Sequence, residues 1–141
     1  MKLQIKKLSD DAIIPVRANE TDSGLDMFTA FETTIPAHST KIIPTSIAIQ
    51  LPYGYEGQVR PRSSKSAKTK LRVQLGTIDY TYNKDVGIIC DNISDQPITI
   101  PKHEKLAQLV IVPVSYCDTE EVTHFDTKHE KERGGFGSTD A

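Results

Sequence analysis

Apolar residues recur at every second position along much of this chain, and proline or glycine breaks the alternation at short intervals. That pattern constrains the fold more than any other. In SIAIQL, Ile47, Ile49 and Leu51 fall on one face; in LRVQL, Leu71, Val73 and Leu75 do so; PITI repeats the habit with Ile98 and Ile100. A period of two belongs to half-buried strands, whose successive side chains point to opposite sides. The breaks at Pro36, Pro44, LPYGYEG, Gly76, Gly87, Pro97, Pro101 and Pro113 have the spacing of turns in a many-stranded antiparallel barrel or sandwich. A continuous apolar run, LAQLVIVPV (residues 106–114), reads as a strand buried on both faces. The helix candidate inside the body is SSKSAKTK (residues 63–70), with Ser63 or Ser64 as its N-cap.

At 141 residues, 37% of them hydrophobic, the chain can bury one sizeable core and not two. The charged stretch DTEEVTHFDTKHEKER (residues 118–133) supplies almost no core residues and reads as a tether. The expected organisation is therefore a β-barrel domain over residues 1–117 and a tether with a terminal arm over residues 118–141. A net charge of −2 argues against a general nucleic-acid coat or a membrane-surface protein, so any anion site must be local. No apolar run reaches bilayer length, and MKLQIKKLSDD lacks the apolar stretch of a secretion signal; a soluble, cytoplasmic protein is expected. Cys90 and Cys117 have no metal-type or redox-type spacing and read as buried free thiols.

Four local features carry chemistry. RPRSSKSAKTKLR (residues 60–72) holds six basic residues and no acidic one, as a local anion site or a solvated loop. Within it, Arg62-Ser63-Ser64 delivers an arginine fork, hydroxyls and helix N-terminal N–H groups to one point, the parts a phosphate needs; Lys65, Lys68 and Lys70 only raise the local potential. In GTIDYTY, Gly76 permits a tight turn and Asp79 stands among Tyr80 and Tyr82, as a general base tuned by partial desolvation or as an ordinary turn aspartate. In DSGLDMFTA, Asp26 sits at the start of a strand. The ending KERGGFGSTDA sets one aromatic ring among glycines and hydroxyls, as a closing lid or a frayed terminus. The pairs His103-Glu104 and His129-Glu130 read as surface residues, because neighbours on a strand point apart, and His124 and His129 lack the helical spacing of a zinc site.

Taken in order, SGLDMFTA, GQVRPRSS, GTIDYTY, KLAQLVIVPV and RGGFGSTD resemble the five motifs of the trimeric deoxyuridine triphosphate nucleotidohydrolases, the dUTPases, over residues 22–139. The resemblance implies an all-β, jelly-roll-like subunit with a flexible C-terminal arm. It implies a homotrimer with shared active sites, in which the third motif comes from a neighbour of the subunit carrying the first, second and fourth, and the arm from the remaining subunit. The substrate would be dUTP, with no nucleic-acid or membrane partner. Asp79 would deprotonate a water that attacks the α-phosphorus, giving dUMP and pyrophosphate, which limits uracil entry into DNA and supplies dUMP for dTMP synthesis. Mg2+ would be chelated by the phosphates and reached by Asp26 through a bound water. Arg62, Ser63, Ser64 and Gln108 would hold the α- and β-phosphates, and Tyr82 would pack on the deoxyribose. Uracil would be read by backbone around Thr77, Ile78 and Gly87, close enough to exclude the methyl of thymine. From the arm, Phe136 would stack on the uracil, Arg133 would meet the γ-phosphate, and Gly137, Ser138 and Thr139 would close on the phosphates.

Two positions depart from the family pattern. Val73 stands where many members carry an asparagine that contacts uracil, so backbone groups carry more of the base recognition; Lys84 stands where a glycine is usual, at the tip of the hairpin. Two other readings compete. A dCTP deaminase of the same fold needs a glutamate in the base pocket, and none lies near GTIDYTY. A regulatory nucleotide-gated module usually carries an inserted recognition segment, for which 141 residues leave little room.

Overall fold

The structure, a computed structural model, describes residues 1–128 and 133–137. The alternating stretches form strands β1 (Gln4–Lys7), β2 (Leu25–Phe28), β3 (Thr33–Ile35), β4 (Ser39–Ile43), β5 (Ile47–Gln50) and β6 (Tyr55–Pro61). After helix α1 (Ser63–Lys68) follow β7 (Leu71–Val73), β8 (Gly76–Ile78), β9 (Ile88–Asn92), β10 (Ile98–Ile100) and β11 (Lys105–Pro113). All pairings between these strands are antiparallel. They build a four-stranded sheet in the order β2-β11-β6-β8, a three-stranded sheet β4-β9-β7, and two ribbons, β1-β5 and β3-β10. This is the many-stranded antiparallel architecture expected from the alternation, and it agrees with the all-β, jelly-roll-like subunit that the resemblance implies.

One apolar core joins the layers, with Met27, Ile35, Ile43, Ile47, Ile88 and Leu106 fully buried. As expected, Ile47, Ile49 and Leu51 face this core. The first half of β11 is buried on both sides, at Leu106, Ala107, Leu109 and Val110. β11 fixes the register of the sheet: Gln108 lies opposite Asp26 on β2 and opposite Arg60 on β6. Between Lys105 and Ala107 the pairing with β2 slips by one residue, a β-bulge.

Several local expectations are corrected. The helix covers Ser63–Lys68 rather than residues 63–70, and its N-cap is Arg62, with no side-chain cap bond. β6 delivers the chain in extended form through Arg62, so Ser63 is already the first helical residue. Thr69 ends the helix by turning to an extended conformation while its hydroxyl and N–H both donate to the Lys65 carbonyl. Leu75 is exposed, because β7 stops at Val73 and the chain then crosses to the other sheet. Cys90 is buried as expected, whereas Cys117 lies beyond the end of β11 and is exposed.

Candidate active site

A cleft of about 540 Å³ opens where the two larger sheets diverge. It is lined by the edge strand β8 and Val59 of β6, by Ile42 of β4 and Ile89 of β9, and by Asp79, Tyr82 and Gly87. β8 pairs with β6 along one side, and among the described residues no strand pairs with its other side. An edge strand with one side unpaired therefore lines the cleft, and its free peptide groups can donate and accept hydrogen bonds as a base edge does. Gly87 packs tightly against Ile42, since a Cβ there would stand 2.6 Å from Ile42 Cγ2.

The loop between β8 and β9 is held at several points. The N–H of Tyr82 donates to the Asp79 carbonyl (3.0 Å), and its hydroxyl donates to the Asp85 carbonyl (2.7 Å). The Asp85 carboxylate accepts the N–H groups of Thr45 (3.2 Å) and Ser46 (3.0 Å), the latter in the left-handed region at φ 55°. These bonds position Asp79 immediately after β8, where it is exposed in the single chain. Of the flanking aromatics, Tyr80 packs edge-on against Tyr53, and Tyr82 remains half open.

A second cluster forms on the face of β2 and β11. Gln108 and Asp26, opposite each other in register, share that face. Gln108 donates through Nε2 to the Pro61 carbonyl (2.8 Å), and its side chain lies over Gly24, where a Cβ would stand 2.3 Å from Oε1. Arg62, at the junction of β6 and α1, places Nε 3.5 Å from Asp26 Oδ1 and donates through Nη1 to the Lys105 carbonyl (3.1 Å). Ser63 and Ser64 follow in the first turn of α1. Lys65 is paired with Glu104, which corrects two expectations: this lysine is engaged rather than a free source of potential, and Glu104 is a half-buried partner rather than a surface residue. His103 is exposed, on a left-handed turn rather than a strand.

One chain thus assembles two half-sites. Thr77, Ile78, Asp79, Tyr82 and Gly87 meet in the cleft; Asp26, Arg62, Ser63, Ser64 and Gln108 gather elsewhere, and none of these lines the cleft. Arg133, Phe136 and Gly137 are exposed, with Gly137 at φ 79°, and Phe136 touches no core. Ser138 and Thr139, like His129 and Glu130, lie outside the described residues. Sequence reasoning missed Gly24, Asp85 and Lys105. For Lys105 a signal existed, because the adjacent apolar pair Leu106-Ala107 breaks strict alternation and marks the bulge.

Among the described residues no group of three or more His, Cys, Asp or Glu side chains could cage a metal. A single carboxylate, Asp26, beside the cationic Arg62 suits a hard ion held mainly by a ligand's phosphates. No helix among the described residues is long and apolar enough to cross a membrane.

These features agree with comparisons to known proteins. A sequence profile of the dUTPase family matches residues 10–140. The deoxyuridine 5'-triphosphate nucleotidohydrolase of Trichodesmium erythraeum is 44% identical, with 99% of each chain covered. The enzyme of the same name from Clostridioides difficile is 42% identical, over 97% of this chain and 96% of the relative. Among solved structures, a G164S mutant of the Staphylococcus bacteriophage 80alpha dUTPase with dUpNHpp superimposes with a TM-score of 0.89 at 32% identity, covering 98% of each chain. A D95N mutant of the dUTPase of S. aureus phage phi11, described with a structural Mg(II) ion, gives 0.85 at 29% identity over 90% of this chain and 100% of that one. With the profile spanning nearly the whole sequence and the relatives matching end to end, the chain belongs to the dUTPase family.

Proposed function

We propose that this protein hydrolyses dUTP to dUMP and pyrophosphate, and so keeps uracil out of DNA while supplying dUMP for dTMP synthesis. The observation that carries this reading is the open edge of β8 in a cleft that Asp79 also lines. The peptide groups of Thr77 and Ile78 pair with the uracil edge, and the narrow wall at Gly87 and Ile42 rejects the methyl of thymine. Tyr82 packs on the sugar. Asp79 takes a proton from a water whose oxygen bonds to the α-phosphorus; the bond from that phosphorus to the oxygen bridging to the β-phosphate breaks, and pyrophosphate leaves. Arg62, Ser63, Ser64 and Gln108 hold the α- and β-phosphates by charge and hydrogen bonds. A bound Mg2+, reached by Asp26 through water, would supply neutralisation of phosphate charge.

The separation of the two half-sites within one chain supports a homotrimer in which neighbouring subunits bring the cleft and the cation cluster together. Residues 118–141 then form an arm that reaches another subunit's site. Its Phe136 stacks on uracil, Arg133 meets the γ-phosphate, and Gly137, Ser138 and Thr139 close on the phosphates. The test is to incubate the purified protein with dUTP, dCTP and dTTP in ¹⁸O-labelled water. Only dUTP should be consumed, with the label in dUMP; label in pyrophosphate, or equal turnover of dTTP, would refute the reading.

A further inference from the structure

Asp26 offers each carboxylate oxygen to a different cation. Oδ1 lies 3.5 Å from Arg62 Nε, and Oδ2 lies 3.4 Å from Lys105 Nζ. The aspartate side chain is only 15% exposed, so an unpaired charge there would be costly. Lys105 reaches it because of the bulge. In an unbroken strand Lys105, three residues before Gln108, would point to the face opposite Gln108 and Asp26. The slip between Lys105 and Ala107 sets Lys105 opposite Phe28, two residues along β2 from Asp26 and therefore on its face. The ammonium accordingly stands 6.0 Å from the Phe28 ring centre as well as beside Asp26. The nearby Lys65 is held by Glu104.

The consequence concerns charge exchange. A triphosphate that draws the Arg62 guanidinium to itself removes one of the two cations from Asp26, and Lys105 is then the cation left on that carboxylate. We propose that Lys105 is a positioning residue that neutralises Asp26 until a divalent ion arrives with the nucleotide, so that Lys105 and the metal are alternative partners of one carboxylate. This rests on the nucleotide reaction proposed above. Without Lys105, metal-free nucleotide would meet an aspartate of its own sign; with metal bound, the loss would be made good.

The test is calorimetric titration of full-length protein with the non-hydrolysable imido analogue of dUTP at low ionic strength, in excess EDTA and in saturating Mg2+. Lys105→Met should weaken metal-free binding roughly three- to tenfold and metal-loaded binding less than about twofold, the scale of a single partly screened charge. Lys105→Arg should keep the wild-type ratio between the two conditions. In an Asp26→Asn background, Lys105→Met should no longer change that ratio, whereas a general loss of positive potential would persist there. Equal weakening in both conditions, or an undiminished effect beside Asn at position 26, overturns the inference while leaving the reaction intact. Wild-type protein that binds the analogue under neither condition overturns the reaction and this inference with it.

Discussion

Substitution of Gly24 by alanine should weaken phosphate binding by displacing Gln108, without replacing any residue that meets the substrate. The added Cβ would stand 2.3 Å from Gln108 Oε1, 3.0 Å from its Cδ and 2.9 Å from its Cβ. The first two contacts can be relieved by swinging the amide away, which breaks its bond to the Pro61 carbonyl and removes the remaining N–H from the phosphates. The third cannot, because Gln108 Cβ is fixed to β11, so β2 and β11 must part by a few tenths of an ångström, as an order of magnitude for overpacking a sheet. Overpacking costs about 1–3 kcal/mol of stability. Losing a hydrogen bond to a charged group costs about 1.5–3 kcal/mol of binding, or roughly ten- to a hundredfold in Kd. Calorimetric titration with the imido analogue in Mg2+ and thermal melting, on Gly24→Ala, Gln108→Ala and the double variant, separate the two costs. Affinity losses should overlap almost completely, since both act through one amide, while the stability loss should persist in the double variant, which keeps the Cβ at position 108. Additive affinity losses, or a Gly24→Ala protein that binds like wild type when Gln108→Ala does not, would refute the reasoning.

Asp79→Asn should leave affinity for the imido analogue near wild type and lower kcat by roughly two to four orders of magnitude, read by steady-state hydrolysis of dUTP. Deleting residues 133–141 should leave the melting temperature almost unchanged, because Phe136 buries nothing in the fold, yet should abolish turnover; Phe136→Ala alone should cost about 1–3 kcal/mol of nucleotide binding. Burial, reinforced by the Asp91 charge, pushes the Cys90 thiol from 9.0 up to about 11. The folded state thus keeps a proton that the unfolded chain releases: this contribution is full below pH 9.0 and is lost as pH rises through about 11. Chemical denaturation at the two ends of that window should show a loss of up to about 3 kcal/mol that Cys90→Ala lacks, and a thiol reagent near neutral pH should label Cys117 alone.

What the sequence discloses follows the range of the interactions. The burial of β5 and β11 is legible because an alternation and an unbroken apolar run are both local signals, and Ile47, Ile49, Leu51 and Leu109 are buried where those patterns put them. The helix is legible as an element but not at its ends, since the extended entry through Arg62 is set by β6 rather than by the capping preference of serine. Leu75 has a strand's pattern and an exposed position, because the crossing between sheets is a tertiary event. The Lys65–Glu104 pair, 39 residues apart in sequence, and the capture of Thr45 and Ser46 by Asp85 leave no local trace at all. Motif order named the candidate site residues, and the resemblance implied that the third motif serves a neighbour's site; the structure sets Asp79 and its neighbours in the cleft and Asp26, Arg62 and Gln108 in a separate cluster.

The unpaired side of β8 has a consequence for how this protein tolerates mutation. On the function proposed above, the base is recognised through peptide groups, parts that every residue type except proline carries, so side-chain changes at Thr77 would leave the reading groups in place. Specificity stored in backbone shape drifts slowly, and losing it takes an insertion, a proline or a shift of β8 against β6. The same edge is a hazard during synthesis, when chains are crowded and open strands seek partners. At three residues, Gly76–Ile78, β8 is long enough for the base contact proposed above and too short to seed a sheet with another chain.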